Sequence, residues 1–140
     1  MKIMICGSMT FAKEMLETKK KLERLGHKVN VPLDTQSHIE NPKLIDDFES
    51  NYKHVQETDI MKKCFNLIAK SDAILVLNHL KNGIKGYVGT SSLMEIGLAY
   101  YLNKKIFLLN SIPASKDVRW AHELTIIKPT ILKGNLTLII

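Results

Sequence analysis

The segment SDAILVLN, residues 71–78, is an almost uninterrupted apolar run that begins and ends in polar residues. Such a run is typical of a β-strand that is covered on both faces, as in the interior of a parallel sheet. Two similar runs lie far from it along the chain, KIMIC at residues 2–6 and KKIFLLN at residues 104–110. All three segments therefore predict buried strands, and we expect them to share one sheet.

Helical patterns separate these strands. Apolar residues at helical spacing predict helices over about residues 10–25, 43–70 and 91–103, the first of them closed by Gly26. HKVNVP, which ends at Pro32, predicts another strand, and the polar stretch from Asp34 to Pro42 predicts a loop. The tail after residue 110 adds a short helix and a last strand. This alternation predicts an α/β fold, a doubly wound parallel sheet with helices on both faces.

Composition limits the class of protein. The 140 residues, 45% hydrophobic and 24% charged, predict one soluble globular domain over residues 1–140. The chain shows no apolar run of about 18 residues and no signal-peptide pattern, so we expect a cytoplasmic protein with no membrane partner. Cys6 and Cys64 fit reduced thiols. Although the net charge is +6, the lysine-rich run at residues 19–21 alternates with glutamates, which argues against a nucleic-acid partner.

Ligands of open parallel sheets bind beyond the carboxyl ends of the strands. Gly7 and Ser8 follow the first strand and precede a helix, a position that favours an anion such as phosphate. A tight turn with a serine cap explains the same two residues. The sequence contains neither the GxGxxG nor the GxxxxGK[ST] motif, so both interpretations stay open.

Glu95 is the only carboxylate between Lys85 and Lys104, and its neighbours are mostly apolar. One interpretation is a capping box with Ser92, in which the glutamate bonds back to the start of its own helix. The other is a catalytic nucleophile, an ionised carboxylate in a dry pocket, stabilised by the first turn of the helix. Gly97 costs helical stability, which predicts a close approach of packing or ligand there.

Asp72 begins the SDAILVLN run. It either closes the turn before the strand or serves as a second acid, provided that its carboxylate faces the same pocket as Glu95. The five histidines show no ligand spacing in the sequence, so no metal site is predicted.

Four segments in order resemble the nucleoside 2-deoxyribosyltransferase family and its relatives that hydrolyse 2'-deoxynucleoside 5'-monophosphates. They are CGS, VPLDTQ, SDAILVLN and GTSSLMEIGLAYYLNKKIFLL, and they span roughly residues 1–110. The resemblance implies a flavodoxin-like sheet of about five strands and a retaining double displacement at C1' of deoxyribose. It also implies a nucleoside or nucleotide as the small-molecule partner, no metal or other cofactor, and a homo-oligomer.

The resemblance further implies roles for individual residues. Glu95, in EIGLA, takes the place of the family's nucleophile, and Asp72 that of an acid that assists the leaving base. Gln36 takes the place of a base-contacting glutamine, and Gly7 and Ser8 that of the loop near the sugar or phosphate.

Two departures from the family concern the 5' position of the substrate. Gly89 stands where the transferases carry an aspartate for the 5'-hydroxyl, so a 5'-phosphate is better tolerated, and Thr90, Ser91 and Ser92 with the amino end of the helix could receive one. The arginine of the monophosphate hydrolases has no counterpart, and Lys13 is the nearest cation along the chain.

The sequence therefore predicts an enzyme that cleaves or exchanges the N-glycosidic bond of a 2'-deoxynucleoside or its 5'-monophosphate. The alternative is a module that binds or senses a nucleotide in the same crevice without chemistry. Cleavage of a larger dinucleotide is a third interpretation.

Overall fold

The sheet has five strands, all parallel, in the order β2-β1-β3-β4-β5. This computed structural model describes residues 1–44 and 47–140. The strands are β1 Lys2–Cys6, β2 Lys28–Asn30, β3 Ala73–Val76, β4 Lys105–Leu108 and β5 Thr130–Ile131. A sheet order of 2-1-3-4-5 is that of flavodoxin-like folds, so the predicted fold class is confirmed.

Six helices are seen in the described part of the chain. They are α1 Ala12–Arg24, α2 Thr35–Glu40, α3 Phe48–Thr58, α4 Ile60–Ala69, α5 Thr90–Tyr101 and α6 Ala121–Ile127. The predicted helical stretch over 43–70 divides at Asp59, which has the left-handed φ of 50°, and its positions 45 and 46 lie outside the described residues.

The prediction of a loop from Asp34 to Pro42 is wrong, because α2 lies inside it. This helix has six residues and buries Thr35 and His38. Because both buried side chains are polar, the sequence shows no apolar periodicity that would predict this helix. No helix among the described residues has both the length and the apolar character needed to cross a membrane.

The two faces of the sheet carry separate hydrophobic cores. Ile74 and Val76 of β3 belong to the core under α4 and α5, whereas Ala73 and Leu75 belong to the core under α1. Every residue of β3 is buried. Burial on both faces explains why this strand lacks the alternation of apolar and polar residues that a half-exposed strand shows.

The carboxyl edge of the sheet is held together by side-chain amides. Asn78, fully buried, donates from Nδ2 to the Asn110 carbonyl oxygen at 2.8 Å and accepts from the Asn110 amide nitrogen at 2.8 Å. Asn110 Nδ2 also donates to the Asn78 carbonyl oxygen at 3.1 Å. These bonds extend the pairing of β3 and β4 beyond the strands themselves and fix the start of the loop that follows β3.

Candidate functional site

A pocket of about 440 Å³ opens at the carboxyl edge of the sheet. It lies where β1 and β3 diverge toward opposite helices, the switch point at which flavodoxin-like folds bind ligands. The loops after β1, β2 and β3, the first two turns of α5, and side chains of α3 and α4 line it. Gly7, Ser8, Gly89, Thr90, Ser91 and Glu95, all predicted from the sequence, belong to this lining.

Glu95 lies in the second turn of α5 and is only 8% exposed. The helix begins at Thr90 and its N-cap is Gly89, so Ser92 is the third helical residue and Glu95 the sixth. A capping box needs its glutamate at the third position. The capping interpretation is therefore wrong, because it requires the helix to start at residue 93, three residues after the observed start. Glu95 accordingly lies in the second turn and not in the first.

Burial raises the pKa of the Glu95 carboxyl from 4.5 to about 7. The Cys6 thiol opposes this shift through a side-chain hydrogen bond that favours the carboxylate, and the negative charge of Asp34 adds to it. Burial, with the Glu95 charge as a second cause, raises the pKa of the Cys6 thiol well above its ordinary value, so Cys6 stays a neutral donor. Glu95 is therefore near half-protonated at neutral pH.

The pocket lining also carries a cation and hydroxyl groups. Lys81, in the loop after β3, donates from Nζ to Ser8 Oγ at 2.8 Å, and this Nζ lies 5.6 Å from the centre of the Tyr87 ring. Ser8 Oγ also accepts from the Thr10 amide at 3.3 Å, so the serine caps the turn after β1 as well as lining the pocket. Lys81 belongs to the pocket lining, whereas Lys13, the nearest cation along the chain, does not.

The glycines of α5 and its N-cap are not required by packing. A Cβ atom at Gly89 would lie 3.6 Å from Tyr87 Cε1, an ordinary contact. A Cβ atom at Gly97 would meet nothing within 4 Å, so the prediction of a close approach at Gly97 is wrong. Gly97 faces outward and takes no part in the pocket.

Asp72 does not share the pocket with Glu95. It precedes β3 and therefore lies at the amino edge of the sheet, separated from the pocket by a four-residue strand, or roughly 13 Å. Its exposed carboxylate accepts from the Lys2 amide through Oδ2 at 2.7 Å, and its own amide donates to the Lys2 carbonyl oxygen. The prediction of a second acid at Asp72 is wrong, and the turn-closing interpretation holds.

Gln36 also lies away from the pocket. Its side chain is on the exposed face of α2 and donates from Nε2 to Glu40 Oε1 at 3.3 Å. The prediction that Gln36 contacts a base is therefore not supported by its position. Asp34 and His38, on the other side of the same segment, line the pocket instead.

Asp34 lies between two imidazoles. Its Oδ2 is 3.0 Å from His38 Nε2 and 2.9 Å from His54 Nε2. No sequence pattern indicates this group, because His54 comes from α3, 20 residues beyond Asp34, and only the fold brings the two residues together. Sequence spacing alone therefore does not exclude a metal-binding group at these three residues.

Comparison of the sequence with protein-family models and with curated proteins gives no match. Among solved structures, the chain is similar to the CMP N-glycosidase BcmB of Clostridium botulinum, with 16% sequence identity and a TM-score of 0.49. The similarity covers 94% of this chain and 85% of the other. At this level of similarity, no activity is transferred from that enzyme to this chain.

Proposed function

We propose that the protein cleaves the N-glycosidic bond of a 2'-deoxynucleoside 5'-monophosphate, with Glu95 as the nucleophile. The observation that carries the proposal is the position of the Glu95 carboxyl, buried in a pocket at the carboxyl edge of the sheet and free of any capping role. A desolvated carboxylate in such a pocket is suited to attack a carbon that carries developing oxocarbenium charge. The family resemblance of residues 89–110 supports the same role.

The proposed reaction has two displacements. A Glu95 carboxylate oxygen bonds to C1' while the bond from C1' to the base nitrogen breaks, and the electron pair leaves with the base, which takes a proton from water. A water molecule then attacks C1', releases the Glu95 carboxylate and yields the sugar with retained configuration. If a second base replaces this water, the same intermediate gives transfer instead of hydrolysis.

A 5'-phosphate has a suitable place in the same pocket as Glu95. The Lys81 ammonium group and the Ser8 hydroxyl form one side of it. Thr90 and Ser91 form the first turn of α5, a 12-residue helix whose amino end favours an anion. Because Gly89 brings no carboxylate to this position, the repulsion that an aspartate there would exert on a phosphate is missing. We therefore propose that monophosphates are better substrates than nucleosides.

The test is a panel of deoxynucleosides and their 5'-monophosphates, incubated with and without a free acceptor base and analysed by chromatography. Wild-type protein should release base, faster from monophosphates, and Glu95→Gln should not. Equal base release by the two proteins would refute the nucleophile. The acceptor base decides between hydrolysis and transfer.

A binding module without chemistry is the second candidate. It is favoured by the absence of Asp72 from the pocket and by the raised pKa of Glu95, since both leave the site less equipped for bond cleavage. A 2-fluoro-2-deoxyribosyl donor followed by intact mass measurement separates the two candidates. An adduct on Glu95 supports the enzyme, whereas reversible binding without an adduct supports the module.

A further inference from the structure

We propose that Asp34, His38 and His54 bind a divalent transition-metal ion, for which Zn²⁺ is the natural candidate. The ligand atoms of these three residues all lie within 4.8 Å of one another. The inference concerns a different set of residues from the nucleophile and does not depend on the proposed glycosidase activity.

Three separate elements bring the ligands together. Asp34 is in the loop after β2, His38 is one turn further along on α2, and His54 comes from α3. Two imidazole nitrogens and one carboxylate oxygen are a common donor set for Zn²⁺, whereas Mg²⁺ and Ca²⁺ prefer oxygen ligands throughout. The donor set therefore selects a transition metal.

The distances are close to those of a coordinated ion. With bonds of about 2.0–2.2 Å, two ligands of a tetrahedral zinc ion lie roughly 3.3 Å apart. Asp34 Oδ2 is 3.0 Å from His38 Nε2 and 2.9 Å from His54 Nε2. The ligand nitrogens of the two histidines lie within 4.8 Å of each other, so an ion could bind between them in place of the two hydrogen bonds.

Burial makes this cluster different from a group of surface charges. Asp34 and His38 are 9% and 4% exposed, and the side chain of His54 is 18% exposed. The Nδ1 atom of His38 is buried without a hydrogen-bond partner in the described structure. No protein group at Nδ1 therefore fixes the tautomer of this ring, and its proton can move to Nδ1 when Nε2 binds a metal ion.

The site would also be open to the pocket. Asp34 and His38 both line it. Three protein ligands leave a fourth tetrahedral position, which is the arrangement of zinc sites that bind water or a ligand. The remaining position would face the same space as Glu95.

The experiment is calorimetric titration of the full chain, without a histidine tag and pretreated with EDTA, using ZnCl₂ and, in parallel, MgCl₂. We expect saturable binding of one Zn²⁺ per chain and no saturable Mg²⁺ binding. Because loss of an outer-shell partner already lowers metal affinity by about 10- to 100-fold, removal of a ligand in His54→Ala should lower it at least as much. His122→Ala removes an exposed histidine outside the cluster and should leave the affinity unchanged.

Asp34→Asn serves as a second variant, because the amide can still accept hydrogen bonds from both imidazoles but is a poor metal ligand. Circular dichroism monitors folding of every variant. Absence of saturable Zn²⁺ binding, or equal affinity in wild type, His54→Ala and Asp34→Asn, would overturn the proposal and leave a hydrogen-bonded cluster only. Since no base release is measured, failure here leaves the glycosidase proposal standing.

Discussion

Each edge of the sheet carries an acid, Asp72 before β3 and Glu95 on α5, and the two acids differ in exposure and in hydrogen-bond partners. At the amino edge, Asp72 is exposed and its carboxylate accepts from the Lys2 amide. At the carboxyl edge, Glu95 is 8% exposed, and burial raises its pKa to about 7. An acid paired with the backbone in water stabilises the sheet, whereas an acid desolvated beside a pocket costs stability and gains reactivity. The comparison separates a carboxylate with a structural role from one that we propose to take part in a reaction.

Exchanging each acid for its amide tests this contrast most strongly. Glu95→Gln should lower the rate of base release by about 10⁴-fold or more, as expected when a nucleophile is removed. Asp72→Asn should retain the wild-type rate within about twofold, since Asn Oδ1 can still accept from Lys2 and the residue is remote from the pocket. Steady-state assays of base release with both variants provide the measurement. Equal losses in the two variants would erase the distinction between the edges.

The pH dependence of stability is the next largest effect. In the folded protein, the pKa of Glu95 is about 7, against 4.5 for an ordinary glutamate. The folded state therefore binds more protons between these values, so stability falls as pH rises through this window and levels off above it. The total cost is about 3 kcal/mol at pH 8.

The Glu95→Gln variant has no carboxyl group at this position and therefore lacks this pH-dependent cost in stability. In EDTA-treated protein it should be more stable than wild type by up to about 3 kcal/mol at pH 8 and about equal to it near pH 4. Urea unfolding of both proteins at each pH gives the difference, in which the other titrating groups cancel. A difference that does not change with pH would mean that the carboxyl is solvated.

Lys81→Gln should weaken binding of the 5'-phosphate. Loss of one charge-assisted bond should raise the KM for a monophosphate about tenfold and leave the KM for the nucleoside nearly unchanged. Lys85→Gln is the matched control, because it removes the same charge from an exposed position of the same loop. Initial rates over a range of substrate concentrations provide the measurement. Equal effects of the two variants would indicate general attraction by the basic surface instead of a phosphate site.

The smallest expected effect is structural. Asp72→Ala removes the acceptor for the Lys2 amide and should lower the free energy of unfolding by about 1 kcal/mol, with no change in rate per folded molecule. Urea unfolding and activity of the same preparation check both statements. If the loss of activity is greater than the unfolded fraction explains, Asp72 takes part in the reaction after all.

The fold could be predicted from the sequence because buried parallel strands are apolar runs, and SDAILVLN and KKIFLLN leave few alternatives. Helix α2 could not be, since its buried side chains are polar. The position of Asp72 was within reach of the sequence. A residue that precedes a parallel strand must lie at the amino edge of the sheet. For the position of Asp72, chain direction is therefore a stronger argument than the family resemblance.

The candidate site was predictable only in part. Glu95, Gly7 and Ser8 follow from the rule that ligands bind at the carboxyl edge, and Lys81 follows from the same rule once its loop is placed after β3. The approach of His54 to Asp34 depends on how α3 packs over the sheet, which no local pattern records.

The reciprocal amide bonds between Asn78 and Asn110 have a consequence for how a molecule reaches Glu95. They fix the beginning of the loop that carries Lys81. The later part of this loop packs closely against the segment after β4, because a Cβ atom at Gly86 would lie only 2.3 Å from the Ser111 carbonyl oxygen. This wall of the pocket is thus held at two points against the segment that follows β4. Helix α3 also contributes to the lining of the pocket, and it has no buried residue. We therefore expect the motions that admit and release a ligand to arise at α3, while the wall that carries Lys81 stays in place.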